Sequence, residues 1–294
     1  MVQNFQLLLQ KSTIQHLRFK FSFLLLPVYL FALSLSDNIN WLDALIILLL
    51  IHLLLYPASN GYNSYMDKDE GSIGGIENPL ETSRELYVVS VWMDIAGAAL
   101  AFIISPLFSA LYIIYIVFSR LYSYRGVRLK QYPIIGYLTV VVNQGALIFF
   151  MVYYGVTRQY DVPWIGLIVS TLLIGAFYPI TQIYQHEQDS KDGVITISYK
   201  LGVRGTFVYC GCLYTIAFGL LAWYFYTSGN FNYFLVLQAW FLPVIGRFLW
   251  WAWQCWKDKD AANYKNTMRM NWLAATCTNL AFISLIIIKE LWLK

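Results

Sequence analysis

Two polar, acidic stretches interrupt an otherwise apolar chain. The first reads NGYNSYMDKDEGSIGGIENP from Asn60 and the second YPITQIYQHEQDSKDG from Tyr178. If the preceding helix continues through the first stretch, Asn60, Asn63 and Asp67 fall at i, i+3 and i+7 on one face. Ser64 and Gly71 share that face, Glu70 sits beside it and Asp69 points away. Carboxylate and amide oxygens so spaced suit a hard cation such as Mg2+ that also holds phosphate oxygens; a solvated helix cap is the plainer alternative. Helical continuation of the second stretch aligns Tyr178, Gln182, Gln185, Asp189 and Asp192, with Thr181 nearby and Glu187 on the opposite side. Ionisable groups at a membrane boundary are costly unless they bind something, so two such clusters on one side imply a shared cationic ligand, most simply Mg2+ with a diphosphate.

A basic segment, LYSYRGVRLKQYP from Leu121, lies between the two stretches. Arg125, Arg128 and Lys130 could neutralise phosphate oxygens beyond the reach of the metal. Arg128 and Lys130 stand out because Tyr122 precedes them. Anchoring of the loop by its positive charge is the alternative for part of this cluster.

The elements that must position these groups follow from composition. The chain has 294 residues, 59% hydrophobic and 12% charged, with a mean hydropathy of +0.55, which leaves too little polar surface for a soluble globule. A spanning helix needs roughly 20 mainly apolar residues, and this window predicts about nine, at roughly 21–36, 41–59, 86–104, 107–119, 132–154, 164–184, 206–227, 233–252 and 272–292. Lys and Arg concentrate in alternate breaks: Lys11, Arg18 and Lys20, then Lys68 and Arg84, then the Arg120–Lys130 cluster, then Lys191, Lys200 and Arg204, then Lys257 through Arg269. The other side holds little beyond Arg158, with Lys289 and Lys294 at the tail. This bias predicts a cytoplasmic N-terminus, cytoplasmic acidic loops over 60–85 and 185–205, and residence in the plasma (inner) membrane.

No soluble-domain linker or short repeat divides the chain, so residues 1–294 are expected to form a single membrane domain. The first apolar run has no small-residue cleavage site after it and is expected to be retained. Cys210, Cys212, Cys255 and Cys277 show no metal or redox spacing and read as buried apolar residues. Nucleic acid is excluded as a partner by the loop-restricted charge.

These residues resemble the UbiA superfamily of intramembrane prenyltransferases across nearly the whole chain. The superfamily's first motif, NDxxDxxxD, falls on Asn63, Ser64, Asp67 and Gly71, with Asn60 upstream and Lys68 after the central aspartate. Its second motif falls on Gln185 and Asp189, followed by Gly193, Thr196 and the Leu201–Gly202 pair. YSYRGVRLK is similar to a YSxxPxRLK loop of branches that use long isoprenoid chains. The chain departs from the pattern at Ser64, Gly71 and Gln185, where Asp69, Glu70, Glu187 or Asp192 could substitute.

The resemblance implies an all-α bundle of about nine helices around a central cavity. It further implies an enzyme, a transferase of alkyl or aryl groups other than methyl. The enzyme would use Mg2+ to move an isoprenoid chain from an allylic polyprenyl diphosphate to a lipophilic, aromatic acceptor. Asn63, Asp67 and Asp189 are expected to be catalytic, and Asn60, Asn63, Asp67, Glu70, Asp189 and Asp192 to hold metal. Lys68, Tyr122, Arg128, Lys130 and Lys191 are expected to meet the diphosphate. Asp94, Asn143 and Gln182 are candidates for orienting the acceptor, with helix-to-helix hydrogen bonding as the alternative. A terpene cyclase on the same scaffold is the nearest rival. An ion-coupled transporter is a more distant one, because transporters place such acids near the midplane on broken, inverted repeats.

Overall fold

The computed structural model describes residues 9–292; of the residues read above, Lys294 lies outside that range. Nine helices of spanning length run antiparallel through the described residues. They are α1 (Lys11–Leu35), α2 (Trp41–Asp67), α4 (Pro106–Ser123), α5 (Pro133–Thr157), α6 (Trp164–Gln182), α7 (Ile197–Thr227) and α8 (Phe231–Lys257), with α3 (Arg84–Ala101) and α9 (Tyr264–Trp292). Eight are long and apolar enough to cross a membrane. The exception, α3, carries Arg84, Glu85 and Asp94 in its 18 residues. The chain is thus a multi-pass membrane protein.

Several helices begin earlier or end later on the acidic-loop side than apolarity predicts. α1 starts at Lys11, with a left-handed break at Arg18 (φ 50°) and a 3-10 stretch over Phe19–Leu25 before its regular turns resume, while α2 runs to Asp67 and α7 starts at Ile197. Apolar windows report the bilayer-embedded length, whereas backbone hydrogen bonds carry a helix on into polar residues. α6 departs the other way. Its regular turns stop at Phe177, a 3-10 turn spans Pro179–Gln182, and a short helix, His186–Lys191, follows. Pro179 lacks the N–H an unbroken helix would need.

α1 packs on α5 and α9, α9 on α8, α8 on α7 and α7 on α6, while α2, α3 and α4 form the remaining wall. Gly145 lets α5 and α6 meet closely: a Cβ there would stand 2.6 Å from the Thr171 Cα. Gly202, at φ +65°, turns the chain between the loop-side start of α7 and its membrane-crossing length, a conformation side chains other than glycine's resist. π-helical turns occur in α2 at Leu50–Leu55 and in α5 at Val142–Leu147. Of the four cysteines, Cys210, Cys255 and Cys277 are buried and Cys212 is exposed.

Candidate active site

A cavity of about 220 Å³ opens at the acidic-loop end of the bundle. α2 supplies one wall. Asn60, Asn63 and Asp67 all line it, as the i, i+3, i+7 spacing predicts. Asn63 Nδ2 donates to Ser123 Oγ of α4 at 2.9 Å, and the Ser59 and Ser119 hydroxyls meet at 2.6 Å. These bonds fasten α2 to α4 beneath the acids.

The opposite wall comes from the end of α6 and the segment after it. Tyr178, Gln182, Gln185, Asp189 and Asp192 line the cavity even though the helix is broken. The two segments are tied directly: Gln185 Nε2 donates to Ser72 O at 3.1 Å and Gln188 Nε2 to Asp69 Oδ1 at 2.9 Å. At Gly71 a Cβ would stand 2.5 Å from Gln188 Oε1, so glutamine side chains occupy the ground where the resemblance expected further acids. Ser64 is buried and outside the lining.

The basic loop folds across the mouth. Lys130 pairs with Asp67, and Arg128 pairs with Asp192 and stands 3.9 Å from Asp67. Arg125 donates from Nε to Met66 O at 2.7 Å and from Nη2 to Asp67 O at 3.2 Å. It thereby satisfies carbonyls that the end of α2 leaves open. The Tyr122 and Tyr178 hydroxyls hydrogen-bond across the cavity.

Four expected residues stand elsewhere. α2 ends at Asp67, and Lys68 adopts a left-handed conformation at φ 53°, which reverses the phase beyond it. Asp69 therefore lines the cavity, while Glu70 and Lys68 are exposed outside it. Lys191 is exposed and pairs with Glu187 at 2.7 Å, the i,i+4 neighbour on the outer face. Asp94 is buried in a pair with Arg120, whose guanidinium lies 4.0 Å from the Tyr62 ring centroid. It is an interhelix tie.

Asn143 and Gln182 line the cavity. The π turn in α5 brings Gln144 in beside Asn143. Gln182 Nε2 donates to Tyr178 OH at 2.9 Å, while its Oε1 is buried without a partner, as is Asn60 Nδ2.

Arg18, read from sequence only as an orienting charge, also lines the cavity. It donates to Asn60 O at 3.2 Å and to Gly74 O at 3.3 Å. Its place at the start of the first apolar run was the available signal, because an arginine there is costly unless it has a task.

Burial, and next the nearby Asp67, push the Asp69 carboxyl up to about 6. Burial likewise lifts Asp189 to about 7 against the opposing pull of Lys130. Buried carboxyls pushed toward protonation, beside the unpartnered amide oxygen of Gln182, fit a divalent cation that would favour their ionised forms and accept that oxygen as a ligand. Among the described residues no three carboxylate, imidazole or thiol groups converge as a ready metal site. A cation would therefore take further oxygens from amides, water or its anionic ligand.

A second cavity of about 230 Å³, lined almost wholly by apolar side chains of α1 and α6–α9, adjoins the first. Leu24, Ile174 and Phe177 line both. A polar, charged chamber is thus separated from an oily one by three side chains.

Known proteins share this arrangement of helices. The computed structure superposes on a UbiA homolog from Archaeoglobus fulgidus bound to DMAPP and Mg2+ with a TM-score of 0.66, 17% identity, and coverage of 94% of this chain and 99% of that one. A digeranylgeranylglyceryl phosphate synthase gives a TM-score of 0.62 at 19% identity, covering 94% and 97%. A probable chloroplastic homogentisate phytyltransferase 2 from Oryza sativa subsp. japonica is 29% identical over 133 residues, which is 41% of this chain and 35% of the rice protein. The alignment thus spans about a third of that relative's length. The UbiA prenyltransferase family model matches residues 24–275, and the chain belongs to the UbiA prenyltransferase family.

Proposed function

We propose that this protein transfers an isoprenoid chain from an allylic polyprenyl diphosphate to a lipophilic, aromatic acceptor in a Mg2+-dependent reaction. The observation that carries the proposal is the convergence of both acidic segments and the basic loop on a buried chamber that adjoins an apolar one. The Archaeoglobus protein's DMAPP and Mg2+ and the rice relative's name support a diphosphate donor and an aromatic acceptor.

Asn63, Asp67 and Asp189 would hold Mg2+, with Asn60, Asp69 and Asp192 in reach of the same chamber. When bound, Mg2+ neutralises charge on the leaving diphosphate. Lys130 and Arg128 donate charge-assisted hydrogen bonds to the remaining phosphate oxygens, and Arg18 adds a third cation at the mouth. As the allylic C–O bond breaks, its electron pair leaves with the diphosphate. Tyr115, Tyr122 and Tyr178 surround the resulting carbocation with ring faces of negative potential and exclude water. The isoprenoid tail lies past Leu24, Ile174 and Phe177 in the apolar chamber. The acceptor's ring carbon forms the new C–C bond, and its proton passes to the released diphosphate as the ring regains aromaticity.

Asn143 and Gln144 orient the acceptor through its polar substituents. Replacing both with leucine should raise the acceptor KM about tenfold, the worth of one or two hydrogen bonds. The diphosphate KM should stay within twofold. Equal rises in both constants would assign the amides to packing. The overall reaction is tested by incubating the purified protein with labelled prenyl diphosphates, Mg2+ and a panel of aromatic acceptors. Prenylated acceptor in step with pyrophosphate is expected. A cyclic hydrocarbon formed from geranylgeranyl diphosphate without any acceptor would overturn the transferase reading.

A further inference from the structure

The lipid-facing side of α8 carries charge that the proposed reaction does not use. Of the apolar stretch of α8 only 22% is buried, the smallest share among the eight apolar spans. Arg247 stands in it ten residues before Lys257, roughly 15 Å from the helix end. Its guanidinium lies 4.5 Å from the Trp250 ring centroid and donates to Asn266 Oδ1 of α9 at 3.3 Å. Asn266 is itself fixed, its Nδ2 donating to Ala261 O at 3.0 Å. Arg269 lies three residues beyond Asn266, on the same face of α9, and is exposed.

Among the described residues neither Arg247 nor Arg269 forms an ion pair with a carboxylate. An arginine within a lipid-exposed helix is costly unless it reaches the interface freely or meets an anion. Arg247 does not swing freely, because ring and amide hold it and leave most of its N–H donors unspent. The same face continues toward the interface with Trp253 and Lys257, whose Nζ lies 3.8 Å from the Trp253 ring centroid. Tryptophans of this exposure, 48% for Trp250 and 54% for Trp253, mark the headgroup level. Charges at the helix ends such as Lys259 and Lys265 serve orientation, which does not require a guanidinium clamped between two helices.

We propose that the groove between α8 and α9 binds the phosphate of an anionic phospholipid from the leaflet on the acidic-loop side, through Arg247 and Arg269 with Trp250 against the glycerol region. The protein in phosphatidylcholine nanodiscs is titrated with phosphatidylglycerol, and lipid retention by native mass spectrometry and thermal stability are read together. Preferential retention and a rise in Tm are expected for the wild type. Each cation removed should weaken binding about fivefold, in R269Q alone and further in R247Q/R269Q. R269Q, at an exposed position, keeps the test intact if Arg247→Gln folds poorly. Equal phosphatidylglycerol retention in wild type and R269Q would overturn the proposal. Displacement of the lipid by millimolar inorganic phosphate would reassign the groove to a soluble anion and overturn it too. Neither readout depends on prenyl transfer.

Discussion

Asp189→Asn should lower pyrophosphate release at least about 100-fold, the usual loss when a group that stabilises transition-state charge is removed, without unfolding the protein. Asp189 is held only partly ionised near neutrality, because burial lifts its carboxyl to about 7. A carboxyl raised in the folded state contributes stability that is full below its unfolded value near 4 and is lost as pH rises through about 7. The neutral asparagine does not carry that loss. D189N should therefore match the wild type in heat stability near pH 4 and exceed it near pH 8 without metal. Asp67→Asn should abolish activity to a similar degree but at a cost in stability, since Asp67 is buried and pairs with Lys130 and Arg128. Breaking one side of such a pair strands the other charge, so D189N is the cleaner variant. Pyrophosphate release retained in both would remove the acidic segments from the chemistry.

Lys130→Ala should raise the apparent Kd for a prenyl diphosphate by roughly 10- to 100-fold, the worth of a charge-assisted hydrogen bond in a site screened from water. Lys130 is nearly buried and bound to Asp67, so it neutralises an acid when no substrate is present and is in place to meet phosphate when one arrives. Its removal also frees Asp67 of a competing cation. Affinity for Mg2+ alone should thus hold or increase while diphosphate affinity falls. Titrations of Mn2+, followed by its paramagnetic signal, and of the diphosphate separate the two effects. A parallel loss of both affinities would mean that Lys130 merely holds the loop.

Helical phase carried much of the candidate site. Asn60, Asn63 and Asp67 reach the cavity because α2 continues unbroken through them. Phase failed one residue later, where Lys68 turns left-handed, and it exchanged the places of Asp69 and Glu70. The glycine-bearing run that follows was the sequence's sign of a stop. The second segment reached the cavity despite the break at Pro179, because the 3-10 turn and the short helix keep Tyr178, Gln182, Gln185, Asp189 and Asp192 on one side. Lys191 could have been set aside from its i,i+4 relation to Glu187, already placed on the outer face. The amide ties from Gln185 to Ser72 and from Gln188 to Asp69 were hidden, since they depend on which loop residues face each other across the mouth. The adjacency of the two cavities was hidden for the same reason, whereas Arg18 was signalled only by its place at the start of the first apolar run.

The proposed reaction requires the acidic segments to clamp a prenyl diphosphate through a divalent cation. It is tested most directly by equilibrium binding of a non-ionising thio-analogue of geranylgeranyl diphosphate to the purified protein, with Mg2+ or with EDTA, in the wild type and in D189N. Tight binding that needs Mg2+ and is lost in D189N is predicted. Binding of equal strength in EDTA, or in D189N with Mg2+, would contradict the account.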